Sequence, residues 1–152
     1  MRLTTKGRYG VMALVDLAAS YTSRPVSIKS IAGEVGISPE YLEQIFFKLK
    51  KAGVIDSLRG PGGGFVLSKK ASEITLKEIL DAVGETTHPV PCTNPEEMEN
   101  CARREFCAVA STWSDFAGII NEFLDKLTIN DILKKSGSKF YEDIVSGQDF
   151  SI

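Results

Sequence analysis

The chain is short of the residues that catalysis and export draw on. It has one histidine, His88, and three cysteines in 152 residues. A single histidine and no Ser/His/Asp set argue against an enzyme. No apolar run approaches the roughly 18 residues that a membrane span needs. The start MRLTTKGRYG is basic and an apolar stretch follows, but Asp16 interrupts it with a charge that the core of a secretory signal does not hold, so a cytoplasmic protein is expected. The cysteines, Cys92, Cys101 and Cys107, fall in one short stretch with none elsewhere. An odd number so placed is not a disulfide framework. Thiols grouped in a reducing compartment more often bind metal or do redox work. There is no internal repeat.

Charge of one sign is missing from the average but not from the halves. The net charge is −2. Residues 1–70 carry 11 Lys/Arg against 5 Asp/Glu, and residues 71–152 carry 7 against 15. A basic first half beside an acidic second half suggests that the first meets a polyanion.

The first half reads as three helices and a hairpin. Val11, Leu14, Val15 and Ala18 repeat at helical spacing, with Tyr21 extending the stripe, so a helix is expected over 9–21 until Arg24-Pro25 breaks it. Ser27 to Val35 is a second helix, closed by Gly36. Ser38-Pro39 supplies an N-cap and a first-turn proline for a third, running to about Ala52. Two short helices joined at a glycine form a helix-turn-helix. Val54–Arg59 and Phe65–Ser68, on either side of Gly60-Pro61-Gly62-Gly63-Gly64, read as a hairpin, and a hairpin in this place reads as a wing.

The third helix buries Leu42, Ile45, Phe46 and Leu49 and turns Glu40, Glu43, Gln44, Phe47, Lys48 and Lys51 outward. In a major groove Gln44 can pair with adenine, and Glu43 can accept from cytosine N4. Glu43 would repel phosphates and so act as a filter against wrong bases. Lys48 and Lys51 suit phosphates. Arg59, beside a thin glycine-rich loop, suits the negative potential of a minor groove. A nucleotide-binding loop is the other use of such glycines, but no Lys-Ser/Thr follows Gly64.

In the second half, Thr75-Leu76-Lys77-Glu78 is a capping box for a helix over 76–83 that ends at Gly84. Residues 85–101 lack periodicity. Phe106, Val109, Trp113, Phe116, Ile120, Phe123 and Leu127 then alternate three and four apart, a heptad seam. Its two uses are a monomer's own core and a dimer interface. Four aromatics among seven large apolar residues exceed what a small winged domain needs to cover, which favours the dimer, and a two-fold reader matches palindromic DNA. A short helix, Ile129–Leu133, follows.

The Cys92-x8-Cys101-x5-Cys107 spacing fits neither a zinc ribbon nor a ferredoxin run, and unliganded cysteines suit it as well as a metal or cluster does. Three thiolates leave one position open. His88, four residues before Cys92, is the candidate fourth ligand, with Glu96, Glu97, Glu99 and Glu105 as acidic alternatives; a loop histidine and a solvated charge run are the ordinary readings of both.

MRLTTKGRYG, GISPEYLEQIF, RGPGGGF and three cysteines ahead of a long helix together resemble the IscR-type iron–sulfur cluster regulators, a family that also holds NsrR, RirA and CymR. The resemblance covers about residues 1–133. It implies a dimeric winged-helix repressor whose DNA binding depends on a 2Fe–2S or 4Fe–4S cluster. It carries Cys92, Cys101 and Cys107 over as ligands, and Ser38, Tyr41, Glu43, Gln44 and Arg59 as DNA-facing positions. This chain departs from it at the fourth ligand. Ala110 stands where the IscR type has a histidine, Arg8 stands where the NsrR type can use a partner's aspartate, and the first two cysteines lie further apart.

The expected protein is mostly α with a small β wing. Residues 1–84 form the winged helix-turn-helix, 85–107 the cysteine loop, 103–133 the dimerisation helix with a short final helix, and 134–152 a loose tail. The expected function is a dimeric cytoplasmic repressor of palindromic operators in iron–sulfur biogenesis, with a 2Fe–2S cluster favoured. A nitric-oxide, redox or iron responder of the same family, and a cluster-free regulator with a zinc or metabolite signal, are the competing functions.

Overall fold

The structure, a computed structural model, describes residues 1–20 and 24–136. Helix α1 spans Thr5–Ser20, α2 Ile28–Val35 and α3 Pro39–Lys51. Strands β1 (Ile55–Leu58) and β2 (Gly64–Leu67) follow, then α4 (Leu76–Val83), α5 (Ala110–Lys126) and α6 (Ile129–Lys135). Among the described residues no helix is long and apolar enough to cross a membrane.

Local chemistry fixes most boundaries. Ser27, Ser38 and Thr75 accept from the amides of Ser30, Tyr41 and Glu78, each the third helical residue. Gly36 closes α2 in the left-handed conformation at φ 77. The strands pair antiparallel, Ile55 opposite Leu67 and Leu58 opposite Gly64. Val26, just before α2, exchanges two backbone hydrogen bonds with Phe65, of 3.0 and 2.8 Å, and so fastens the wing to the helix-turn-helix.

One core joins these elements. Leu14 and Leu17 of α1, Ile31 of α2, and Leu42, Ile45, Phe46 and Leu49 of α3 meet Ile55 and Leu67 of the wing, Ile79 and Val83 of α4, and Ile129 and Leu133 of α6. Burying each of these large side chains stabilises by about 1.5–3 kcal/mol before entropy is counted. Helix α6 is further held by backbone bonds from Leu76 to Leu127 (2.7 Å) and from Ile129 to Ile74 (3.0 Å).

Three elements differ from the sequence expectation. Helix α1 starts at Thr5, four residues before the expected start at residue 9; Tyr21 lies outside the described residues. Helix α5 starts at Ala110, so Phe106 and Val109 precede it. No side chain caps its N-terminus, and the chain arrives there through single 3₁₀ turns at Pro91–Thr93, Met98–Asn100 and Arg104–Phe106. Helix α6 runs on to Lys135, into the expected tail, because the Thr128–Asp131 capping box starts it firmly and Lys134 and Lys135 suit its C-terminal dipole. Residues 137–152, with Phe140, Tyr141 and Ile144, lie outside the described residues.

Three aromatic residues of the seam on α5 face away from the chain's own core, while Ile120 and Leu127 are half-buried. Ala117 and Leu124 are the buried residues of this helix, which packs on α4. Trp113 is 37% exposed, Phe116 47% and Phe123 57%. The intramolecular reading of the stripe therefore fails for these three residues.

Candidate DNA interface and thiol cavity

The reading helix and the wing are one mechanical unit. The Phe46 and Phe65 rings meet edge to face with centroids 4.9 Å apart. Lys50 Nζ donates to Ser57 Oγ at 2.5 Å, a second tie from α3 to β1. Tyr41 is half-buried and meets Tyr9 of α1 edge to face at 6.3 Å, which fixes the entry of α3. With its inner face held in this way, α3 exposes Glu43, Gln44, Phe47, Lys48 and Lys51, and Arg59 is exposed where β1 leaves for the wing tip. Ser38 is exposed too, and its hydroxyl is occupied in capping α3. Gly64 lets the base of the wing lie against the segment before α2: a Cβ there would be 2.4 Å from the Val26 carbonyl oxygen.

The three cysteines come together on one cavity of about 330 Å³, together with Thr93, Met98, Arg104, Ala110, Ser114 and Ala117. All three thiols are free and half-buried. Among the described residues their side chains are not gathered into a ready metal-binding group. The donor set nonetheless fits an iron–sulfur group: three soft thiol ligands border one space, and the Arg104 cation on the same wall offsets anionic charge.

His88 does not border that space. It lines a second cavity of about 280 Å³ with Met1, Arg2, Thr86, Pro89, Val90, Pro91, Asn94 and Glu97. Its Nδ1 is buried without a hydrogen-bond partner. Of the acidic alternatives, Glu97 lines the His88 cavity, while Glu96, Glu99 and Glu105 line neither.

The start of the loop is anchored on both sides by residues that local sequence reading missed. Glu85 is 7% exposed and Thr87 2%. The Glu85 carboxylate accepts from the Thr4 amide (3.3 Å), the Thr4 hydroxyl and the Gly7 amide (2.9 Å), all at the N-terminus of α1. Burial pushes this carboxyl up, but those hydrogen bonds and the Lys6 charge outweigh it and hold it below the usual carboxylate range. Thr87 donates to Asn121 Oδ1 of α5 at 3.0 Å, and Asn121 in turn donates to the Ala117 carbonyl at 2.9 Å. The loop is thus tied to α1 at residue 85 and to α5 at residue 87.

A helix-turn-helix with a locked wing defines a class of DNA-binding regulator, and comparison with known proteins places this chain within it. Residues 3–135 match the Rrf2 family, described as iron-dependent transcriptional regulators. The transcriptional regulator IscR of Pectobacterium carotovorum is 37% identical over 100% of this chain and 89% of its own. The solved structure of T. potens IscR is similar at a TM-score of 0.71 and 32% identity, covering 99% of this chain and 94% of that one. That of CymR, the global cysteine regulator of B. subtilis, gives 0.72 and 33%, covering 89% and 98%. The chain belongs to the Rrf2 family of transcriptional regulators. It is a DNA-binding regulator of the IscR-like kind, and its relatives are regulators rather than enzymes.

Proposed function

We propose that this chain is a homodimeric cytoplasmic repressor whose grip on palindromic DNA is set by an iron–sulfur cluster held by Cys92, Cys101 and Cys107. The observation that carries the reading is that these three thiols, and no other cysteine, border one cavity against α5. The likeness to IscR proteins supports an iron–sulfur cofactor; the proposal takes a 2Fe–2S cluster and iron–sulfur biogenesis as the set of genes controlled.

In this reading Gln44 and Glu43 read base edges, and Ser38 and Tyr41 set the start of the reading helix. Lys48 and Lys51 neutralise phosphates, and Arg59 enters the minor groove. The exposed face of α5 pairs with its copy, because Trp113, Phe116 and Phe123 are large apolar groups left facing water along one helix. When bound, the cluster supplies a redox- and ligand-sensitive crosslink among the three thiols. The chain's own residues carry the consequence: the loop is tied through Glu85 to α1 and through Thr87 to α5. Ordering the loop therefore acts on the angle between a reading head and the dimer helix.

The test is an anaerobic absorption spectrum of reconstituted protein with iron and sulfide counted per chain. Visible absorption with iron and sulfide in equal amounts supports the reading. Zinc without sulfide, or no metal, removes it and leaves a winged-helix regulator with another signal.

A further inference from the structure

The fourth position of the thiol site has no assigned occupant, and the cavity narrows the choice. Among the side chains that border it with the three cysteines, those able to donate to iron are the hydroxyls of Thr93 and Ser114 and the thioether of Met98. Thr93 is engaged in its own turn, where its hydroxyl donates to the Val90 carbonyl oxygen at 2.8 Å. A thioether is neutral and adds no charge to balance iron. Ser114 remains. It lies on α5 with Ala110 and Ala117, residues four before and three after it, so these three form one face of the helix. That face is what borders the thiols, and its two alanines offer no donor but leave room for one.

We infer that the Ser114 oxygen is the fourth ligand of the group held by Cys92, Cys101 and Cys107. The inference rests on the cluster reading above. Ligation would exchange a bound water for the Ser114 oxygen: the Fe–OH2 bond and the Ser114 O–H bond break, an Fe–O bond to Ser114 forms, and the water and the proton leave to solvent; no electron is transferred. The ligand would sit on the same helix as the exposed aromatic seam, so the group would join the loop directly to α5.

The test compares wild type, Ser114→Ala, Ser114→Cys and His88→Ala, each reconstituted anaerobically. Absorption, electron paramagnetic resonance of the reduced form, midpoint potential and lifetime in air are read. Circular dichroism of the cluster-free forms checks that the fold is kept. Ser114→Cys is expected to keep full iron and sulfide, shift the potential and lengthen the lifetime several-fold. Ser114→Ala is expected to change the resonance and shorten the lifetime, and His88→Ala to match wild type. Spectra and potentials of both Ser114 variants identical to wild type would overturn the inference, as would a resonance changed in His88→Ala alone. Those results leave the three-thiol reading intact. Full iron and sulfide in Cys101→Ala, or none in wild type, is the separate result that removes that reading and this inference with it.

Discussion

The Glu85 carboxylate accepts the Gly7 amide at 2.9 Å across 78 residues of sequence, and so caps α1 from the far side of the wing. A helix leaves its first amides without partners inside the helix, and a buried carboxylate satisfies them while favouring the positive end of the helix dipole. Because the folded state holds Glu85 below its usual value, its contribution is fully present above about pH 4.5 and is lost as the pH falls through the lowered value. Glu85→Gln should lower Tm at neutral pH, with the gap to wild type closing in acid. A gap independent of pH would assign the loss to packing alone.

Gly7 is required by the same contact. A Cβ there would lie 2.7 Å from Glu85 Cγ. Gly7→Ala should therefore displace the carboxylate and destabilise by about 1–3 kcal/mol, the cost of leaving buried polar groups unpaired. Combined with Glu85→Ala, the effect should be clearly less than additive in urea unfolding, because the second change removes what the first collides with.

The α5 seam can be probed without touching the core. Phe116 is 47% exposed in the single chain. Phe116→Asp should keep the helical circular dichroism and give a monomer or aggregate in sedimentation, since a charge buried in a dimer seam costs several kcal/mol. A stable dimer would exclude this face as the interface.

The DNA-facing residues should separate by role. Arg59→Ala should cost about 1–3 kcal/mol of specific binding, and Lys48→Ala should weaken all sequences while lowering the salt slope by about one. Glu43→Ala should broaden the set of sequences bound, because it removes a repulsion as well as a cytosine partner. Selection from random DNA reads this directly; an unchanged consensus would contradict the filter role.

Where chemistry is local, the sequence was legible. Thr75 and Gly84 bracket a helix that the structure places at Leu76–Val83, and Ser38-Pro39 opens α3 where expected. Where partners are distant it was not. The early start of α1 comes with a carboxylate from residue 85, which no window around Thr5 contains. The heptad spacing marked the apolar stripe of α5, but not that Ala117 and Leu124 would be the side packed inward, because an amphipathic helix with two apolar sides does not say which one the chain itself covers. His88 is the sole histidine and lies near Cys92 in sequence, yet that nearness does not bring it to the thiol cavity. Ser114 carries no signal in the sequence, since a serine in a helix shows its use only where the fold shows what it borders.

The central claim is that a group held by three thiols sets DNA binding. Its most direct measurement is the affinity of wild type and Cys101→Ala for a selected operator, each with and without anaerobic reconstitution by iron and sulfide. The account expects reconstitution to change wild-type affinity by tenfold or more, an effect of about 1.4 kcal/mol, and to leave Cys101→Ala where the cluster-free protein stands. Equal affinities for loaded and cluster-free wild type would contradict it.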